Sequence, residues 1–228
     1  MWTKCKRIIR YILALPKTLY INFRVFDLKD ACKIPVICSN TVRISEIHKG
    51  SIVLDETPKF GMVKLGLSDG SYDNGNGKKS FLKIAKGGRL VFADSIVISN
   101  DFSININGGG LVRIGRGFWS NHGLVLSCSD LITFGDNVLL GWNCTFLDSD
   151  GHSILKNSSK EHLNKNRSIS IGDHVWITSN AIVLKGGSIA SDSIVSQGCI
   201  VTHKFNESNV IIGGVPGQII KTDINWEK

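Results

Sequence analysis

The stretch Ile171-Gly-Asp-His-Val-Trp-Ile177-Thr-Ser-Asn-Ala-Ile-Val183-Leu-Lys-Gly-Gly-Ser-Ile189-Ala-Ser-Asp-Ser-Ile-Val195-Ser-Gln-Gly-Cys-Ile-Val201 carries a β-branched aliphatic at every sixth position. Neither common period fits it. A helix repeats its apolar residues at three and four, and a half-buried strand at two. β-Branched side chains favour extended backbone, and the interspersed glycines argue further against a helix. A fixed short period marks a solenoid, and a period of six marks a parallel β-helix. Each hexad then forms one flat side of a triangular coil, and its aliphatic points into the prism. The residue four places on (Val175, Ala181, Gly187, Ser193, Cys199) is mostly small and suits a corner. Three hexads close a turn of about 18 residues, and the turns stack through ladder hydrogen bonds.

Outward from this stretch the period persists with irregularities. Phe134, Leu140 and Phe146 keep it, after a slip of two residues. Before them Leu90, Ile96, Phe102, Ile114 and Leu126 follow it imperfectly, with the polar Ser120 in the series. Between Asp148 and Ser168 it stops, and GHSILKNSSKEHLNKNR reads as a polar excursion from the coil. Such a loop on a regular scaffold is the kind that carries function. The segment 41–67 (VRIS, SIVL, MVKLGL) is strand-like, and Ser68–Lys79 is a Gly/Asn/Asp-rich turn or loop. The domains expected are an N-terminal segment 1–40, a β-helix 41–222 and a tail 223–228.

The 228 residues suit one domain, and 24 glycines suit a turn-rich β protein. A net charge of +8 implies an anionic partner: nucleic acid, a membrane or a phosphate-bearing small molecule. Nucleic acid is the weakest of these, because no basic run is interleaved with aromatics. The six cysteines form no CxxC pair, and Cys144 and Cys199 fall at inward small positions, so buried thiols of a reducing compartment are expected. No apolar run reaches the length of a membrane span. The start is basic, but Arg10 splits IIRYILALP, Pro16 ends it and no cleavage site follows, so a signal peptide is not expected and a cytoplasmic location is. From Met1 to Phe26 there are six cations and no acid. A basic amphipathic helix there suits two roles: lying on an anionic membrane surface, or capping the open end of the solenoid.

The hexads, FGDNVLLGWNCTFLDSDGHSI, IGDHVWITSNAIVLKG and the tail GGVPGQIIK resemble the left-handed β-helix, hexapeptide-repeat acyltransferases. More narrowly they are similar to the sugar O-acetyltransferases of bacterial surface-polysaccharide clusters. Left-handed coiling is what the resemblance implies; the general crossover rule would argue for the other hand. The resemblance also implies a homotrimer with sites between prisms and acetyl-CoA as co-substrate.

Acetyl transfer from a thioester to a hydroxyl needs a base for the proton and donors for the developing oxyanion. His152 matches the family's catalytic histidine in D-x-D-x-H, and an imidazole titrates near neutrality. Asp148 or Asp150 could orient the ring by accepting its other N–H. For the acceptor, Asn121 and His122 in WSNHGL are candidates, with a coil-surface role as the alternative. His174 is expected to face solvent. For acetyl-CoA the resemblance points to the last coils: Ser179 and Gln197 for the pantetheine arm, then Thr202, His203 and Lys204, with Lys221 in the tail and Lys185 adding charge. Trp176 could wall the cleft. No metal site is expected, because the histidines lack the spacing of a three-histidine centre. The function expected is O-acetylation of a surface polysaccharide or its lipid-linked precursor at the inner face of the cytoplasmic membrane. The alternatives are N-acetylation of a nucleotide-linked amino sugar or small molecule, and a non-enzymatic structural β-helix.

Overall fold

The computed structural model describes residues 2–67 and 79–227, with side chains of the N-terminal helix from Ile8 onward. The loop expected over 68–79 lies almost wholly outside the described residues. The chain winds into a three-sided column of parallel strands. Among the described residues one face holds nine strands and the other two hold seven each; each strand pairs in parallel with the one three places along the chain, except the last, Gln218–Lys221, which pairs antiparallel with Ile211–Gly213. We call the faces first, second and third in the order the chain visits them, starting from Val36–Cys38, Arg43–Glu46 and Ile52–Leu54.

The sixfold aliphatics stack in register inside this column. On the third face Leu54, Phe92, Ile114, Phe134 and Ile171 lie one above another, followed by Ile189 and Phe205. On the first, Ile98, Ser120, Leu140, Ile177, Val195 and Ile212 do the same. On the second, Leu82, Ile104, Leu126, Phe146, Val183 and Val201 complete the core. Three faces each burying one aliphatic per hexad leave almost no polar atom inside. The polar member of these three stacks, Ser120, is fully buried, and its hydroxyl donates to the Asn121 carbonyl at 2.9 Å. Phe134 meets Phe118 and Phe146 edge to face, with centroids 5.2 and 4.9 Å apart.

The irregular period in the earlier coils has a structural cause. Trp176 pairs with Ile194, a turn of 18 residues, whereas Val97 pairs with Trp119, a turn of 22. The longer turns contain four-residue strands with two inward residues, such as Ile104 with Ile106 and Ile132 with Phe134. That second inward residue in the strand Leu131–Phe134 produces the slip of two. Phe102 therefore occupies a corner, not the strand position that its spacing suggests; Ile104 takes that place.

The repeated Gly-Asp of FGDNV and IGDHV builds the edge between third and first faces. Asp136 Oδ1 accepts the Arg116 N–H at 2.8 Å, Asp173 Oδ1 accepts the Asp136 N–H at 2.7 Å, and Ser191 Oγ accepts the Asp173 N–H at 3.0 Å. Each carboxylate or hydroxyl ties a corner to the one below. A Cβ on Gly135 would stand 2.3 Å from Asp173 Oδ1, so only glycine lets the corners approach this closely. One step further on, the turn residues His174, Asn180, Gly186, Asp192 and Gly198 all have positive φ. Asn and Asp tolerate this region, and glycine has no penalty there. His174 is unusual at such a place and is held by its surroundings. Its Nδ1 lies 2.9 Å from Asp192 Oδ1, its ring stacks on Trp226 at 4.3 Å, and Trp226 Nε1 donates to its carbonyl at 2.8 Å. This corrects the expectation of a solvent-facing His174, and it explains why Trp226 in the polar tail is buried.

The N-terminal helix spans Trp2–Val25 and contains Pro16, which does not end it. Its inner stripe, Ala14, Thr18, Ile21, Asn22 and Val25, is buried against the first strand. That strand begins at Val36, within the N-terminal segment 1–40 expected to precede the β-helix. Asn22 serves its edge as a neighbouring strand would: Nδ2 donates to the Val36 carbonyl at 2.6 Å and Oδ1 accepts the Val36 N–H at 3.1 Å. Thr18 Oγ1 accepts the Cys38 N–H at 3.0 Å. The helix therefore caps the column. Asn22→Ala would strand two buried backbone groups and is expected to lower stability by about 2 kcal/mol, read from the denaturant midpoint.

Candidate active site

The excursion leaves the second face after Thr145–Leu147 and rejoins the third at Ile169–Ile171. It is a short finger closed on itself: Leu155 bridges His162, Lys156 N–H donates to the Glu161 carbonyl at 2.8 Å, and Leu163 N–H to the Ile154 carbonyl at 2.8 Å. His152 stands on its outgoing arm and is exposed. Among the described residues nothing is bonded to its ring.

The two aspartates beside it have separate tasks. Asp148 is fully buried at the root of the finger. Its Oδ1 accepts the Ser129 N–H and its Oδ2 the Asp130 N–H, both at 2.8 Å, while the Cys128 thiol donates to Oδ2 at 3.2 Å. Burial and the adjacent carboxylate push that thiol up to about 12. Asp150 is held by the Lys185 ammonium and by Asn164 Nδ2 at 2.8 Å, which keep its carboxyl below the ordinary carboxylate range. The orienting contact expected from either carboxylate to His152 is not formed within the chain.

What holds His152 instead is Asn164, which the sequence reading passed over. Its Nδ2 also donates to the His152 carbonyl at 2.7 Å, and its Oδ1 accepts the Ile154 N–H at 2.6 Å. One amide thus ties the returning arm to Asp150, His152 and Ile154, and Lys185 fastens Asp150 to the coil below. In a run of polar residues one asparagine carries no periodic signal. Because the folded Asp150 carboxyl titrates low, the tie is complete above the ordinary carboxylate value. It is lost only as pH falls through the depressed one. At neutral pH Lys185→Met is expected to speed tryptic cleavage at Lys156 and Lys160, detected by mass spectrometry. Any reaction that uses His152 should slow about tenfold through loss of positioning.

The edge between second and third faces, from which the finger springs, also bears a cleft of about 430 Å³. Asp130, Arg167, Ser168, Gly186, Thr202, His203 and Lys204 line it. It brings together the finger's last residues and three residues expected to bind the co-substrate. His203 lies against Phe205, centroids 4.4 Å apart. Lys185, also considered for that role, is engaged with Asp150. Arg167 was not singled out by sequence, since only the closure of the finger puts it on this wall.

Other expected site residues line the edge between first and second faces. Asn121 and His122 follow the strand Trp119–Ser120, Ser179 follows Trp176–Ile177, and Gln197 follows Ile194–Val195. Ser179 Oγ accepts the Trp142 N–H at 3.1 Å, so this hydroxyl has a structural duty; Gln197 is exposed. Lys221 lies at the end of Gln218–Lys221, which pairs antiparallel with Ile211–Gly213. Trp176 is exposed on the first face, with its ring 5.8 Å from that of Trp226 in the tail. Within one chain the two groups are separated by the width of the second face, where strands of three residues span roughly 10 Å.

Among the described residues no group of three or more potential ligands could hold a metal, and no helix is long and apolar enough to cross a membrane. Cys38, Cys128, Cys144 and Cys199 are buried free thiols.

No protein-family model matches the chain. Galactoside O-acetyltransferase of Escherichia coli (strain K12) is 35% identical over 113 residues, 50% of this chain and 55% of that enzyme. The chain thus spans little more than half the length of this curated relative. An uncharacterized 24.8 kDa protein in the cps region of Klebsiella pneumoniae is 28% identical over 207 residues, covering 91% of this chain and 88% of the other. Among solved structures, the polySia-specific acetyltransferase NeuO superposes with a TM-score of 0.58 at 21% identity, over 85% of this chain and 79% of its own. The fold is the left-handed parallel β-helix, and galactoside O-acetyltransferase and NeuO, which the chain resembles, are both named as acetyltransferases.

Proposed function

We propose that this chain is an acetyl-CoA-dependent O-acetyltransferase. It acts on a sugar hydroxyl of a surface polysaccharide or of its lipid-linked precursor, with His152 as general base. The observation that carries this reading is the shared edge. The finger that exposes His152 and the cleft lined by Arg167, Thr202, His203 and Lys204 rise from the same side of the column.

The cleft fits a phosphate-bearing thioester in kind. Arg167 and Lys204 offer charge to phosphates, and Ser168 and Thr202 offer hydroxyl groups, while Asp130 confines the anionic end to the rest of the wall. Acetyl-CoA supplies the acetyl group in activated form. His152 accepts the proton of the acceptor hydroxyl as its oxygen bonds the acetyl carbon, and returns that proton to the departing CoA sulfur as the carbon–sulfur bond breaks. Asn164 and Lys185 keep the finger closed so that the imidazole stays aimed.

A homotrimer suits the division of the site residues. One edge of a chain offers Asn121, His122, Ser179 and Gln197, and another offers the finger and the cleft, so a groove between two columns unites both sets. Sugar as the acceptor class agrees with the relatives' names, one specifying galactoside O-acetylation and the other polySia.

The purified chain is expected to release CoA from acetyl-CoA only when a sugar acceptor is present. Its product is expected to lose acetate in mild base, as an ester does. A base-resistant product would replace this reading with amide formation. No sugar-dependent release from polysaccharide, lipid-linked saccharide or nucleotide sugar would remove it.

A further inference from the structure

We propose that the N-terminal helix, besides capping the column, seats the protein on an anionic membrane surface. The inference rests on what the cap leaves uncovered. Ala14, Thr18, Ile21, Asn22 and Val25 face the prism and are buried. Beside that stripe Ile8, Ile12, Leu15, Leu19 and Phe23 recur at helical spacing and are 59%, 62%, 50%, 37% and 49% exposed. A cap requires only the first of these stripes. A soluble helix with one buried face would place polar residues on the other, yet here a second apolar stripe runs along most of a helix of 24 residues.

The surface continues beyond the helix. An apolar groove of about 620 Å³ runs between it and Ile34, Ile37 and Phe60, and Phe60 is 73% exposed. The charge identifies the occupant. Lys4, Lys6, Arg7, Arg10, Lys17 and Arg24 are the only ionised side chains before Asp27. Lys17 turns back to the column, where its ammonium donates to the carbonyls of Asn40 (2.8 Å) and Val42, and fixes the helix's rotation. Arg24 is exposed. A second copy laid on this face would set one acid-free, cationic helix against another. An anionic bilayer instead accepts the Ile/Leu stripe among its acyl chains and pairs the flanking cations with its headgroups. The helix lies in the interface and does not span it, in keeping with its hydropathy.

Flotation of the full chain with vesicles tests this. It is expected to float with vesicles of phosphatidylglycerol in phosphatidylcholine, to remain soluble with phosphatidylcholine alone, and to release at high salt. Ile12→Glu combined with Leu19→Glu alters only exposed positions and is expected to reduce binding about tenfold or more, with the thermal melt unchanged. Should that variant unfold, Arg24→Gln provides the test, with a loss of about fivefold. Three results overturn the proposal: no flotation of the parent chain, equal binding to both vesicle types, or charge variants that float as the parent does. If the parent fails to float and the double substitution instead changes the oligomer's mass, the stripe is a contact between copies.

Discussion

His152→Ala is expected to lower the rate of acetyl transfer by about a hundredfold or more while leaving the fold and the affinity for acetyl-CoA intact. The side chain is exposed, so its removal opens no cavity, and the hydrogen bonds that close the finger involve the His152 backbone and Asn164. Stability and catalysis are therefore separable at this position. Comparing kcat with the thermal melt of the same preparation makes the check. A variant that keeps about a third of the parent rate would assign the proton to another group.

Asp148 is expected to behave in the opposite way. Asp148→Ala leaves the N–H groups of Ser129 and Asp130 without acceptors at a partly buried corner. Each of these bonds is charge-assisted, so stability should fall by about 3–5 kcal/mol, read from the denaturant midpoint at unchanged slope. Asp148→Asn keeps one accepting oxygen but turns an amide N–H₂ toward the other donor, and is expected to recover part of the loss. If the carboxylate served only to orient the imidazole, either substitution would reduce kcat and leave the denaturation curve in place.

These two residues, four apart in the sequence, show what the residue pattern could and could not reveal. The column was legible because its rule is local. Every sixth residue from Ile171 to Val201 faces inward, and Gly-Asp pairs recur where corners touch. The coils before Phe134 were legible only in part, since a second inward residue such as Ile106 or Ile132 stretches the turn and breaks the count. The motif DSDGH drew attention to the right finger but not to the division of labour inside it. Whether a carboxylate faces an imidazole or a backbone N–H depends on which corner lies beneath, and that corner, Ser129–Asp130, is far away in sequence. Asn164, Lys185 and Arg167 acquire their places only when the finger folds back on the column. His174 was misjudged for a related reason: its partners, Asp192 and Trp226, belong to a later turn and to the tail.

A column whose every layer repeats the last has no intrinsic length. Any terminal strand offers the same ladder to a newcomer, and chains could add end on end. On the first face this one has a stopper at both ends. Asn22 and Thr18 occupy the opening strand's hydrogen bonds with side chains. At the far end Gln218–Lys221 runs against the direction of every other strand and presents the wrong polarity for another layer. The first face's ladder is finite because these two segments refuse the rule that its interior strands obey.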